Sequence, residues 1–194
     1  HLPDETHVAF VRSIEAHADI TGIDTSAASA VPGVINVLIG TDLVADGIGG
    51  VPWEVRPVSE KISADDSVES GDPSIARPQP AMPADRAVFV GQIVAMVIAD
   101  TLNAARDGAE KVVVDYNSHP AVTDVEAATK EGAPVVDPQF PDNICFRLVF
   151  GDKERTDSLF DQAAHVTRIR HVQNRGVGAP IETRGYIGHW DAAA

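Results

Sequence analysis

The chain has 194 residues, with 15 basic against 29 acidic side chains, a formal net charge of −14 and 44% hydrophobic residues. That composition can bury a core and excludes a disordered chain. The negative balance repels phosphate backbones and anionic lipid, which argues against nucleic acid or a membrane surface as the primary partner.

Residues 6–12, THVAFVR, read as a strand, and residues 18–24, ADITGID, as a second. Asp24 and Thr25 can cap a short helix over TSAASAV, which Pro32 and Gly33 terminate. Residues 34–39, VINVLI, then form a buried strand, and Thr41-Asp42-Leu43 starts another helical turn. From about residue 47 to 85 the chain is rich in proline and carries the polar run 59–74, SEKISADDSVESGDPS, as a long loop. Gly47, Gly49 and Gly50 fit turn chemistry rather than a phosphate cradle, since no Gly-Lys-Ser/Thr follows. The oxygen spacing of Asp65, Asp66 and Glu69 matches no calcium loop and suits a solvated surface.

Residues 88–116, VFVGQIVAMVIADTLNAARDGAEKVVVDY, read as strand, helix, strand. The apolar run 93–99 suits a strand covered on both faces. Asp100 and Thr101 are the N-cap candidates, and Leu102, Ala105, Ala109 and Val112 fall near helical spacing. The first 40 residues repeat this architecture without sequence identity. After the turn at NSHP, residues 125–131 suggest a short helix ended by Gly132. Residues 133–143, APVVDPQFPDN, are extended and proline-bearing, and the domain boundary falls there. Beyond it, residues 144–150 are strand-like, 156–164 helical, and 165–172 and YIGHW (186–190) strand-like. This last stretch is too short to close a core alone and needs a partner.

Few residues suggest chemistry. Cys145 is the single cysteine, so it makes no internal disulfide and holds no iron–sulfur cluster alone; within ICFRLVF it reads as a buried, inert thiol. A reducing compartment, and hence a cytoplasmic location, is expected. No apolar run approaches the roughly 20 residues that span a bilayer. His165 and His171, six apart on one candidate strand, lie about 20 Å from each other and cannot share an ion. His17 and His119 each stand alone beside no carboxylate at ligand spacing, so no metal site is expected. Glu182 and Arg184, two apart on an extended stretch, face the same side, as an internal ion pair or beside a substrate channel. Both ends of the chain, HLPDE and WDAAA, read as cuts through a longer polypeptide.

Several segments together go further. AFVRSIEAHADITGIDTSAASAVPGVINVLIGTDL (9–43), the stretch 88–116, a later PDNICF and AHVTRIRHVQNRGVGAPIETRG (164–185) occur in this order. In wording and order they resemble the N-terminal part of the large, molybdenum-bearing subunit of the xanthine dehydrogenase, aldehyde oxidase and carbon monoxide dehydrogenase family. The resemblance implies an α/β (α+β) fold. It implies a hammerhead domain over residues 1–124, a proline-containing linker over 125–150, and the incomplete start of a molybdopterin-binding domain over 151–194. It also implies an oxidoreductase that places oxygen from water onto an aldehyde, purine, N-heterocycle or carbon monoxide at a molybdenum–molybdopterin centre. Electrons would leave through iron–sulfur clusters and FAD on partner subunits. The family's glycine-rich cofactor motif and its late catalytic glutamate do not occur in these residues, so no catalytic residue is assigned and the piece alone is expected to be inactive. Glu182 and Arg184, in PIETRG, are the weak candidates for cofactor contact, and the rest of the large subunit is the first expected partner. Gln92 in place of the commoner Glu, NSHP after Tyr116, and the run 59–74 depart from the family pattern. The alternative, of a different class, is a stand-alone hammerhead-like binding or assembly module without redox chemistry.

Overall fold

The computed structural model describes residues 4–51, 79–138, 140–144, 151–172, 176 and 178–190. Cys145, all but the first residue of the strand expected at 144–150, and the run 59–74 with Asp65, Asp66 and Glu69 lie outside the described residues. The chain divides into two compact units, His1–Asp152 and Lys153–Ala194.

In the first unit the described strands are β1 (His7–Arg12), β2 (Ala18–Asp24), β3 (Val34–Ile39), β4 (Arg86–Ala87), β5 (Ile93–Ala99) and β6 (Val113–Ser118). They pair only antiparallel, as two three-stranded sheets ordered β1-β5-β3 and β4-β2-β6. Helices α1 (Ser26–Ser29), α2 (Gly40–Ala45) and α3 (Leu102–Ala109) connect them. Each expected strand–helix–strand unit therefore links the two sheets instead of adding two strands to one. The chain runs β2-α1-β3 from the second sheet to the first, and β5-α3-β6 back again.

The helix starts follow from short oxygen-bearing side chains. Thr101 Oγ1 accepts from Ala104 N at 3.1 Å and caps α3, a bond of a kind whose loss costs about 1 kcal/mol. Asp100 instead ties its backbone N–H to Gly33 O at 2.9 Å, closing β5 onto the start of β3. For α1 the cap is Asp24, whose Oδ1 accepts from Ser26 N at 2.8 Å, while the Thr25 side chain makes no cap bond. Asp42 reaches back from α2 to accept from Ile39 N at 2.8 Å.

The core lies where α3 meets the first sheet. Ala104, Ala105 and Gly108 are the buried positions of α3, and Ala99 packs with Ala9 and Val34 beneath them. A side chain at Gly108 would come within 2.9 Å of Val97 Cγ1 and 3.0 Å of Val34 Cγ2, so small residues let the helix sit down on the sheet. Burial of a valine such as Val97 contributes about 1.5–3 kcal/mol. The run 93–99 meets the expectation of cover on both faces only in part. Val94, Ala95, Val97 and Ala99 are fully buried, but Met96 and Ile98 are only half-buried. Strand β3 is likewise not the buried strand expected, because it lies at the sheet edge with Ile35 and Asn36 exposed beside a register shift.

After β6 the helix expected at 125–131 shrinks to one 3-10 turn, Ala127–Thr129, with Gly132 at φ 80. Asn143, at φ 56, gathers the extended segment behind this turn. Its Nδ2 donates to Ala128 O (2.8 Å) and Pro134 O (2.9 Å), and its Oδ1 accepts from Val136 N (3.0 Å).

In the second unit the expected helix appears as α4 (Lys153–Gln162). The strands expected at 165–172 and 186–190 do not form. A strand needs a ladder partner for its N–H and C=O groups, and the described residues supply none. No described residue from Lys153 onward is buried, and Tyr186 and Trp190 are 86% and 88% exposed. Among the described residues of the whole chain, no helix is long and apolar enough to cross a membrane.

Candidate functional site

Glu182 and Arg184 are both exposed, and no hydrogen bond or ion pair joins them or engages either one among the described residues. The expected internal ion pair is absent for the reason the strand around it is absent: nothing fixes the backbone that would present both side chains together. Among the described residues His165 bonds only to Thr167 Oγ1, at 3.1 Å, on a stretch that is not a strand.

Polar groups converge elsewhere, at the end of the second sheet where β2, β4 and β6 run side by side. Asp19 pairs with Arg86 on one flank and Asn117 on the other, and His119 follows two residues after Asn117, on the same face. Asp19 Oδ1 accepts from Arg86 Nε at 2.8 Å, and Oδ2 accepts from His119 Nε2 at 2.6 Å. These two donors, His119 foremost, hold the Asp19 carboxyl below the usual carboxylate range. His17, only 5% exposed, packs its ring 5.0 Å from that of His119. Its Nδ1 lies 3.1 Å from Pro120 O, and because a carbonyl can only accept, that nitrogen carries the proton. A backbone bond from His119 N to His17 O (2.8 Å) closes the clasp.

The placing of His17 and His119 as isolated residues is thereby corrected. Asp19 and His119 are 100 residues apart in sequence, so only the β2–β6 register brings the carboxylate to the imidazole. The pairing of those two strands was the missing signal; given it, residue 119 falls on the face of residue 19. The clasp holds no nucleophile. His119 Nε2 is already taken up by Asp19, and no group of three or more His, Cys, Asp or Glu side chains among the described residues can hold a metal ion. Its chemistry is to pin the exit of β6 against β2.

The description "Aldehyde oxidase and xanthine dehydrogenase, a/b hammerhead domain" fits the sequence over residues 1–76 and 54–120. The chain belongs to this family. It is 31% identical, over 98% of its length, to the nicotine 6-hydroxylase large subunit of Paenarthrobacter nicotinovorans, and covers 21% of that protein. To the carbon monoxide dehydrogenase large chain of Afipia carboxidovorans it is 33% identical, over 94% of its length and 22% of the relative's. The structure of the Cu,Mo-CO dehydrogenase superposes with a TM-score of 0.64 at 31% identity, covering 85% of this chain and 20% of that one. Quinoline 2-oxidoreductase from Pseudomonas putida 86 gives 0.60 at 33% identity, covering 75% and 16%. The chain thus spans about a fifth of the length of the curated relatives it matches. As a hammerhead-family member it has the mixed α/β fold that the sequence led us to expect, and its described strands pair antiparallel, which the sequence did not indicate. The polar clasp and the α3 core both lie within the matched residues.

Proposed function

We propose that this chain is the hammerhead-bearing part of the large subunit of a molybdenum-cofactor-dependent hydroxylase or dehydrogenase. The enzyme oxidises an aldehyde, purine, N-heterocycle or carbon monoxide with oxygen taken from water. One observation carries this reading: the identity of about a third to large subunits of such named enzymes extends over nearly the whole chain, not over one motif. In this reading residues 1–124 are the hammerhead domain, 125–150 the linker and 151–194 the opening of the molybdopterin-binding domain. Partner subunits carry iron–sulfur clusters and FAD, and the assembly works in the cytoplasm.

In this reading the cofactor is held mainly by the rest of the large subunit. Glu182 and Arg184 are exposed and without partners among the described residues; of the buried polar side chains, Ser13 bonds to the Glu15 backbone, Gln92 accepts from Val88 N, and His17 in the β2–β6 clasp keeps one ring nitrogen without a partner. In this reading the catalytic steps are carried by the rest of the large subunit. The work of this chain is to offer a rigid body against which the cofactor-bearing part packs.

The test is purification of the protein from its native source with subunit masses and metal analysis. Molybdenum and iron co-purifying with a subunit several times longer than this chain is the expected result. The isolated 194-residue chain turns over none of the four substrate classes with an artificial electron acceptor. A metal-free small monomer as the native form, or turnover by the isolated chain, refutes the reading.

A further inference from the structure

The first sheet has two faces, and among the described residues only one is covered by helices. Register and alternation settle which residues lie where. Ala9, Val97, Val37, Ala99 and Val34 face α1 and α3. On the opposite face, two cross-strand rows stand side by side: Val8–Ile98–Asn36 and Phe10–Met96–Leu38. Five of these six side chains are apolar, and none is charged. In a chain with 29 acidic and 15 basic residues this is not the composition of a water-facing surface. An antiparallel sheet with one solvated face alternates to polar residues there. Yet Val8 is 39% and Phe10 47% exposed, with Met96, Ile98 and Leu38 half-buried. Arg12 stands at the end of β1, two residues beyond Phe10. Its Nη1 is committed to Gly91 O at 2.8 Å, and its guanidinium lies 6.0 Å from the Phe10 ring centre. The charge is thus turned back onto the chain at the margin of the apolar rows.

We infer that this face, centred on Phe10 and Met96, is the surface on which the cofactor-carrying remainder of the large subunit docks. The inference rests on the proposed function. The identity of the occupant comes from length: the relatives run on for about four-fifths of their sequence outside the matched region, covalently tethered to it. Tethering gives such a segment an effective concentration that a second copy or a separate subunit lacks. Burial of an aromatic and several aliphatic side chains against it also accounts for rows without charge, as at the dry centre of an interface.

The experiment is photocrosslinking in the full-length large subunit carrying Phe10→p-benzoylphenylalanine. Peptides are identified by mass spectrometry, and molybdenum content is measured on the same sample. The expected crosslink joins residue 10 to a peptide of the same polypeptide C-terminal to residue 194. In the unmodified subunit, hydroxyl-radical labelling of Met96 is expected to be at least fivefold slower than that of a free methionine. A crosslink to residues 52–78, to a second copy or to a different subunit overturns the inference, as does absence of any crosslink with Met96 labelled at the free rate. If the substituted subunit does not accumulate, the Met96 rate in the unmodified one decides alone. Molybdenum present with a crosslink elsewhere refutes the docking face while leaving the functional reading standing. Molybdenum absent from the native enzyme refutes the functional reading itself.

Discussion

At Asp19 one carboxylate receives both an imidazole and a guanidinium, and the consequence is a stability that depends on acid. Its folded-state pKa is lowered by the bonds from His119 and Arg86. A depressed carboxyl contributes stability that is fully present above its unfolded value, about 3.9, and is lost as pH falls through the folded value. Asp24 adds in the same direction, its carboxyl lowered by the Ser26 hydroxyl and backbone N–H. Asp19→Asn removes the first contribution. Denaturant unfolding at a series of pH values should therefore give a wild-type advantage that is constant above pH ~5 and shrinks below it. An advantage of equal size from about pH 7 down to about pH 2.5 would show that Asp19 acts by packing alone. At a third exposed (34%), the carboxylate is partly screened by water and salt, and the advantage should fall in high salt as well.

Among the elements, the tightest fit is at the start of α2, where Gly40 meets the backbone of the segment entering β4. A side chain there would stand 2.1 Å from Pro83 O and 2.7 Å from Ala84 N. Alanine would gain about 1 kcal/mol of helix propensity. The clash falls on backbone, which cannot rotate away, and overpacking of this kind costs about 1–3 kcal/mol or more. Gly40→Ala should therefore lower the thermal midpoint of the chain by several degrees, measured by circular dichroism; an unchanged or raised midpoint sinks the argument. Much of this level was legible in the sequence. The runs 6–12, 18–24, 34–39 and 93–99 became β1, β2, β3 and β5 because their apolar and β-branched residues fit a sheet, and Thr101 capped α3 as its oxygen allows. The pairing of strands was not legible. Nothing in residues 93–99 says that β5 lies between β1 and β3, or that β6 belongs to another sheet. That information lies in contacts between distant segments, and with it went the site: Asp19 and His119 could be joined only once β2 and β6 were. The strands expected at 165–172 and 186–190 failed for the converse reason. Local propensity was present, but the hydrogen-bonding partner that makes a strand was not.

For the molecule as a whole, the two units differ in what they can do alone. The first has a core beneath α3; the second buries none of its described residues and relies on a ten-residue helix, α4. Helices that short are marginal in water without a packed face. A peptide of residues 153–194 should show no cooperative thermal transition by circular dichroism and little helix; a sharp transition would mean that it has a core of its own. The clasp between residues 17–19 and 119–120 has a further consequence, for the chain while it is being made. With about 100 residues between Asp19 and His119, β2 leaves the ribosome well before its neighbour β6 exists. At 5–20 residues per second the delay is on the order of 5–20 s. During that interval β1 and β2 present unpaired edges and the apolar side chains Val8 and Phe10 to solvent. A nascent chain arranged in this way is a natural client for a ribosome-bound chaperone, and slowing translation between residues 24 and 93 lengthens the time for which it is at risk.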